Sequence, residues 1–379
     1  MSLLPGRRSG EYGSFVAGLP GKRSSERDSR SPGAESVIRR SYTLFGIVFS
    51  AFLLWLALRT INFEDVGAAF GAANYVLLVP ALALYFTGVA VRAVRWRVLL
   101  APLRAVAVGR LFPIVVIGYM ANDILPARLG EVVRVDVLGR RERVSRAAAL
   151  ATVLIERVFD GLCLLIFAAV TLPLVALTGD WRGPLLLAAI LFAGAAALLV
   201  AIAVRPRLAR ALAELVTRVL PSGLRGRVRG LMESVVQGLA VLGGVRATLW
   251  ALGLTVGAWL CEAGLYLVLL WALAIEGPPL VPLAILTTSI ANLGTLLPSS
   301  PGYVGVFHYL VQQVLTQAGV PLGQATVYAV LVHAALIVPV TLLGLYYVWR
   351  LGLGKSWLRT VSRAPQLVEG ERATSTMRS

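Results

Sequence analysis

The chain has 379 residues, 58% of them hydrophobic and 15% charged, with a mean hydropathy of +0.78. A soluble domain carries about a quarter charged residues, so the balance excludes an ordinary water-soluble fold and fits a chain solvated by lipid. The net charge of +17 is clustered between apolar runs, which reads as membrane topology and contact with anionic headgroups; a nucleic-acid partner is not expected.

Residues 1–40 are rich in Arg, Ser, Gly and Pro and are expected to form a disordered, basic cytoplasmic tail with no cleavable signal. A bilayer span needs about 20 apolar residues. Runs of that kind fall at 42–59, 75–94, 150–178, 185–204, 249–275 and 327–349. Two further stretches, 111–126 and 282–318, are apolar but interrupted by Pro and Gly. Residues 351–379 form a second, short cytoplasmic tail, which leaves 41–350 as one transmembrane domain.

Orientation follows from the basic loops. Eight Lys and Arg precede the first span, none falls at 60–74, and eight Arg lie at 205–248. With basic loops inside, both termini are cytoplasmic, in a cell (inner) membrane. The pattern closes only if 111–126 enters and leaves on the inner side and 282–318 on the outer side. Each stretch is then a re-entrant hairpin or a pair of short spans. Irregular backbone at membrane depth is tolerated where it is buried in protein or lines a wet cavity, so function is expected there.

The two stretches resemble each other. The first carries Ala121-Asn122, Leu125-Pro126, Arg128 and Gly130-Glu131; the second carries Ala291-Asn292, Leu297-Pro298, Pro301-Gly302 and Gly305. Paired, Pro/Gly-broken segments of opposite sense point to an inverted repeat with a site near the midplane. Helix-breaking loops that merely pack are the alternative.

Charges mark the rest of the site. Arg128, Glu131 and Arg134 share a helix face, where Glu131 can balance one arginine and leave another to grip a phosphate. Ordinary surface salt bridges are the competing reading. Glu156, Arg157 and Asp160 lie inside a span, with an internal network set against snorkelling at its end. Glu262 sits mid-span and should face a cavity, pair with a cation or carry a proton. Arg92, Arg95, Trp96 and Arg97 end the second span as interfacial anchors do, with headgroup binding as the alternative. Cys163 and Cys261 lie in apolar runs and suggest no disulfide, and His308 and His333 lack spaced partners, so no metal or other cofactor is expected.

These motifs resemble a flippase-like family named for the transmembrane region of lysylphosphatidylglycerol synthase. The resembling residues are Arg95-Trp96, the run from Asn122 through Pro126, Arg128, Gly130 and Glu131 to Arg134, Glu156-Arg157 with Asp160, and Pro298 through Pro301-Gly302 to Gly305. The resemblance implies movement of a lipid or lipid-linked headgroup between leaflets: an anionic phospholipid, a glycolipid, or a polyprenyl-linked or hopanoid lipid. It also implies a stand-alone member without the soluble synthase domain, and self-association is left open. Tyr303 and His308 depart from the family pattern in the last motif.

The expected fold is all-α: a polytopic helical membrane protein of about six full spans plus two interrupted re-entrant segments in an inverted repeat. The reading favours a transporter over an enzyme. A membrane glycosyl- or aminoacyl-lipid transferase using Glu64-Asp65 competes with it. So does a non-catalytic envelope scaffold that docks an acidic partner on 205–248.

Overall fold

The structure, a computed structural model, describes residues 48–59, 62–125, 129–175, 177, 181–204, 230, 238–239, 244–296 and 300–353. The first tail, the second tail from residue 354, most of the basic 205–248 segment, Pro126, Arg128 and Pro298 lie outside the described residues.

Helix follows helix: α1 (Val48–Leu58), α2 (Phe63–Ala72), α3 (Leu78–Leu100), α4 (Val108–Ile124), α5 (Gly130–Glu142), α6 (Arg146–Val175), α7 (Arg182–Val204), α8 (Val245–Ala272), α9 (Leu280–Gly294), α10 (Val306–Gln317) and α11 (Leu322–Arg350). No strand occurs among the described residues, and the protein is an all-α, polytopic membrane protein. Four helices are long and apolar enough to cross a bilayer: Tyr75–Leu100, Arg146–Val175, Val245–Ala272 and Leu322–Arg350. The other two expected spans coincide with shorter apolar stretches, Val48–Leu58 and Gly183–Leu198.

Lipid tails are as apolar as leucine, so helices in a bilayer associate through close van der Waals packing and polar contacts. The most extensive packing is α3 against α8, followed by α4 against α11 and α6 against α9. At Gly88 a Cβ would lie 3.1 Å from the Ala258 carbonyl oxygen and 3.2 Å from Cys261 Cβ, so the small residue brings α3 and α8 together. Outward faces are apolar: Leu186, Leu187, Ile190 and Leu191 on α7, and Leu342, Tyr346 and Trp349 on α11, are exposed.

The stretch at 111–126 differs from expectation. It runs as one helix through Pro113 and Gly118 to Ile124. Pro113 removes one backbone donor without ending α4. Gly118 serves a close approach, since a Cβ there would be 3.1 Å from Arg134 Cβ on α5. The break comes only after Ile124. The second stretch is broken as read: α9 ends at Gly294, a 3-10 turn covers Pro301–Tyr303, and α10 begins at Val306.

The acids Glu64 and Asp65 have a structural explanation. They occupy the first turn of α2, where Asn62 accepts the Glu64 N–H at 3.0 Å. Negative charge at a helix N-terminus is favoured there.

Candidate functional site

The second span was expected to end in anchors at the lipid interface. Arg97 is exposed, but Arg92, Arg95 and Trp96 turn inward, at 4%, 1% and 0% exposed. The physical reason lies on α6 and α8, which place carboxylates at the same depth. Arg92 meets Glu262 at 2.8 Å and lies over the Trp259 ring, 4.6 Å from its centre. Arg95 grips Asp160 with two bonds, of 2.5 and 3.3 Å, donates to Thr255 at 2.9 Å, and has Nε 3.5 Å from Glu156. Arg134 pairs with the other oxygen of Glu156 and lies over Trp96, 4.4 Å from the ring centre. Trp96 and Trp259 are fixed in turn by their indole N–H groups, on Thr152 at 3.1 Å and on Asp160 at 3.0 Å.

Arg157 completes the network, 3.3 Å from Asp160 and 3.8 Å from Glu131. Glu131 was expected to balance Arg134 or Arg128, the latter outside the described residues; it faces Arg157 on α6, while Arg134 is held by Glu156. Four arginines (92, 95, 134, 157) thus meet four carboxylates (131, 156, 160, 262). An unpaired charge at this depth costs several kcal/mol, so the matched set makes the interior tolerable.

In front of this network lies a cavity of about 240 Å³. Arg92, Arg157, Glu131, Asp160 and Glu262 line it, with Asn122 and Asn292. The two asparagines belong to the two similar stretches, and each sits near the end of its helix. Asn122 Oδ1 accepts the Gly130 N–H at 2.8 Å, which ties the end of α4 to the start of α5. Asn292 donates to Glu262 at 3.0 Å and to the Thr288 carbonyl at 2.9 Å. Gly130 is required at this joint, because a Cβ would overlap the Gly118 carbonyl and the Asn122 side chain.

The cavity therefore gathers six of the residues singled out by sequence: Asn122, Glu131, Arg157, Asp160, Glu262 and Asn292. Arg95, Arg134 and Glu156 do not line it and are paired with one another. Arg157 differs from them: its side chain is 32% exposed, against 5% or less for the other three arginines. Its Nε, like those of Arg95 and Arg134, is buried without a hydrogen-bond partner among the described residues. Gly302 and Gly305 take positive φ values of 68° and 92° in the turn that Pro301 opens. That turn brings Tyr303 and Phe307 to the cavity wall.

Sequence reasoning missed Tyr85, Tyr119, Asp123, Trp259 and His333 as lining residues. Asp123 was legible as the neighbour of Asn122. The structure gives it one bond, from Thr341 at 2.9 Å, and no cation among the described residues. The aromatic residues carry no spacing signal that separates them from core. Glu64 and Asp65 do not line the cavity.

Helices with outward apolar faces around a paired, charged interior define a multi-pass membrane protein. The chain matches the family described as Lysylphosphatidylglycerol synthase TM region over residues 43–344, and it belongs to that family. It is also similar to a curated protein named Glycosyltransferase AglD from Haloferax volcanii, at 28% identity across 72% of this chain and 48% of the relative. The chain thus spans about half the length of that relative. No solved structure matches it.

Proposed function

We propose that the protein moves a lipid or lipid-linked headgroup between membrane leaflets, with residues 41–350 as the transmembrane domain and both termini in the cytoplasm of a cell (inner) membrane. The observation that carries this reading is the cavity, which joins the asparagines of both similar stretches to a set of paired charges inside the helical bundle. Its volume of about 240 Å³ is below the roughly 300–1,000 Å³ typical of pockets that enclose a whole ligand. It has room for a headgroup whose acyl or prenyl tails stay in the bilayer.

Arg157 is the residue suited to bind the headgroup. It combines the most exposed side chain of the four arginines with a long contact to Glu131, so an incoming phosphate can replace a weak pair rather than break a tight one. Arg95 and Arg134, which the sequence suggested for phosphate, serve this reading by holding Asp160 and Glu156 in place. An anionic phospholipid, a phosphate-bearing polyprenyl-linked lipid or a glycolipid with a phosphate linkage would fit such a site.

The direct test is mass spectrometry of the lipids that copurify with wild type, Arg157→Ala and Glu262→Gln. One headgroup class enriched with wild type and lost from Arg157→Ala supports the assignment. Identical lipid profiles in all three contradict it.

The relative's name favours a second reading, a glycosyltransferase acting on a lipid-linked acceptor. On that reading Glu64 and Asp65 supply the acids. Glu64→Gln with Asp65→Asn would then abolish function in cells; the transport reading expects it to persist.

A further inference from the structure

One helix of the cavity wall has no part in headgroup binding. Among the described residues α7 contributes only Phe192 to the lining, and none of its described residues is buried. Leu186, Leu187, Ile190 and Leu191 are 60–63% exposed. At about 3.6 residues per turn they form one stripe, which meets lipid tails in a bilayer, and Phe192 falls on the opposite side of the helix. A helix with hydrocarbon on one side and the cavity on the other is a wall one helix thick.

α7 packs principally on α6, and the fit is uneven. Ala188, Ala189, Ala195 and Ala196 share the inward side with Phe192, so small side chains stand one turn before and one turn after a single large ring. The ring rests on Gly161 of α6, where a Cβ would overlap it. Glycine is a poor residue for the middle of a helix, and here it forms the notch that seats the ring. Gly161 follows Asp160 directly and Arg157 by one turn, and all three line the cavity. Phe192 therefore stands at the border of the charged wall.

Beyond that border the lining is apolar. Leu164 on α6 joins Cys163 and Trp259 in a small cluster apart from the main core, with Leu293 of α9 packed against it. Leu164 and Leu293 both line the cavity. The space thus runs from paired charges to hydrocarbon side chains, and an occupant that matches both ends is amphiphilic.

The geometry points to a lateral portal between α6 and α7. Phe192, seated on Gly161, is the latch that separates the charged cavity from the bilayer, and the slot at Leu164 and Leu293 takes one hydrocarbon tail of the lipid whose headgroup enters the cavity. The choice of occupant rests on the headgroup reading. The latch itself rests on the place of α7 and on the ring in its notch. Few large side chains hold α7 in place, so its inward face can part from α6 without breaking a charged contact printed on that face of the network: the ion pairs of Arg157 and Asp160 lie within α6 or run to α3 and α5.

The test is photolabelling in lipid nanodiscs that contain a phosphatidylglycerol with a diazirine at the end of one acyl chain. Labelled residues are mapped by mass spectrometry, with Leu187 and Leu191 on the outward stripe as the reference. We expect wild type to be labelled at Leu164 and Leu293 as well. The ratio of inner to outer labelling should rise several-fold in Phe192→Ala, and also in Gly161→Ala, where the added methyl group displaces the ring. Ile190→Ala, which shortens an outward side chain, should leave the ratio unchanged. Inner positions that stay unlabelled in wild type and both latch variants, a ratio that neither latch variant changes, or an equal rise in Ile190→Ala would overturn the portal. Arg157→Ala separates the two readings. Inner labelling that it abolishes ties the tail to the headgroup site; inner labelling that it leaves in place keeps the portal and removes the headgroup from Arg157.

Discussion

Glu156 and Arg157 are neighbours in sequence with opposite parts to play. Glu156 is fully buried and its carboxylate faces both Arg95 and Arg134. Removing it strands the Arg134 guanidinium in the interior, while Arg95 keeps Asp160 and Thr255. Glu156→Ala is therefore expected to cost about 3–5 kcal/mol, the range for breaking a buried ion pair from one side. A thermal melt in detergent would show this as a fall of many degrees, or as loss of folded protein. Arg157→Ala removes a partly exposed side chain, and its partner Asp160 keeps two bonds from Arg95 and one from Trp259. Glu131, 17% exposed, loses its cation, so the melting point should fall, but by less than for Glu156→Ala, while headgroup binding is lost. The i,i+4 spacing of Glu156 and Asp160 made their shared face legible in the sequence. The demand of Glu262 for a partner was legible too. That the partner is Arg92, 170 positions away, was not, because only the packing of α3 on α8 brings them level. The same packing converts residues that read as interfacial anchors into the interior of the network.

Among the elements, the joint between α4 and α5 is where small changes should matter most. Gly130→Ala would push a methyl group into the Gly118 carbonyl and the Asn122 amide. Overpacking of this kind costs about 1–3 kcal/mol, and the variant should show a lower melting point and weakened headgroup retention. Gly109→Ala, near the start of the same α4, meets nothing within 4 Å. It should be neutral or slightly stabilising, since alanine is about 1 kcal/mol better than glycine inside a helix. Equal melting points for the two variants would contradict the close-packed joint. The sequence identified this region through its Asn, Pro and Gly residues, but it placed the interruption too early. Pro113 and Gly118 look alike as breakers on paper. Within α4 the first costs a single backbone bond, and the second makes room for Arg134, a contact that depends on tertiary packing and has no local signature.

For the molecule as a whole, the two similar stretches meet at one place. Asn122 and Asn292 face the same cavity from helices that lie far apart in the chain, and this convergence was anticipated from the repeated Ala-Asn pattern. The contribution of Asp123, Trp259 and His333 was not, since a lone acid, an aromatic residue and a histidine on apolar helices read as core until the fold sets them around a common space. The account requires that this space carry a headgroup. The measurement that tests it most directly is leaflet-resolved lipid transport in proteoliposomes made with a headgroup-diverse extract, comparing wild type with Arg157→Ala and Glu262→Gln. A hydrogen bond to a charged group contributes about 1.5–3 kcal/mol, so Arg157→Ala should slow transport at least about tenfold. Glu262→Gln should also slow it by disturbing Arg92, and the lipid that wild type moves would name the substrate. Well-folded wild type that moves no lipid, or variants that match it, would contradict the transport reading and leave the charged network as a structural core.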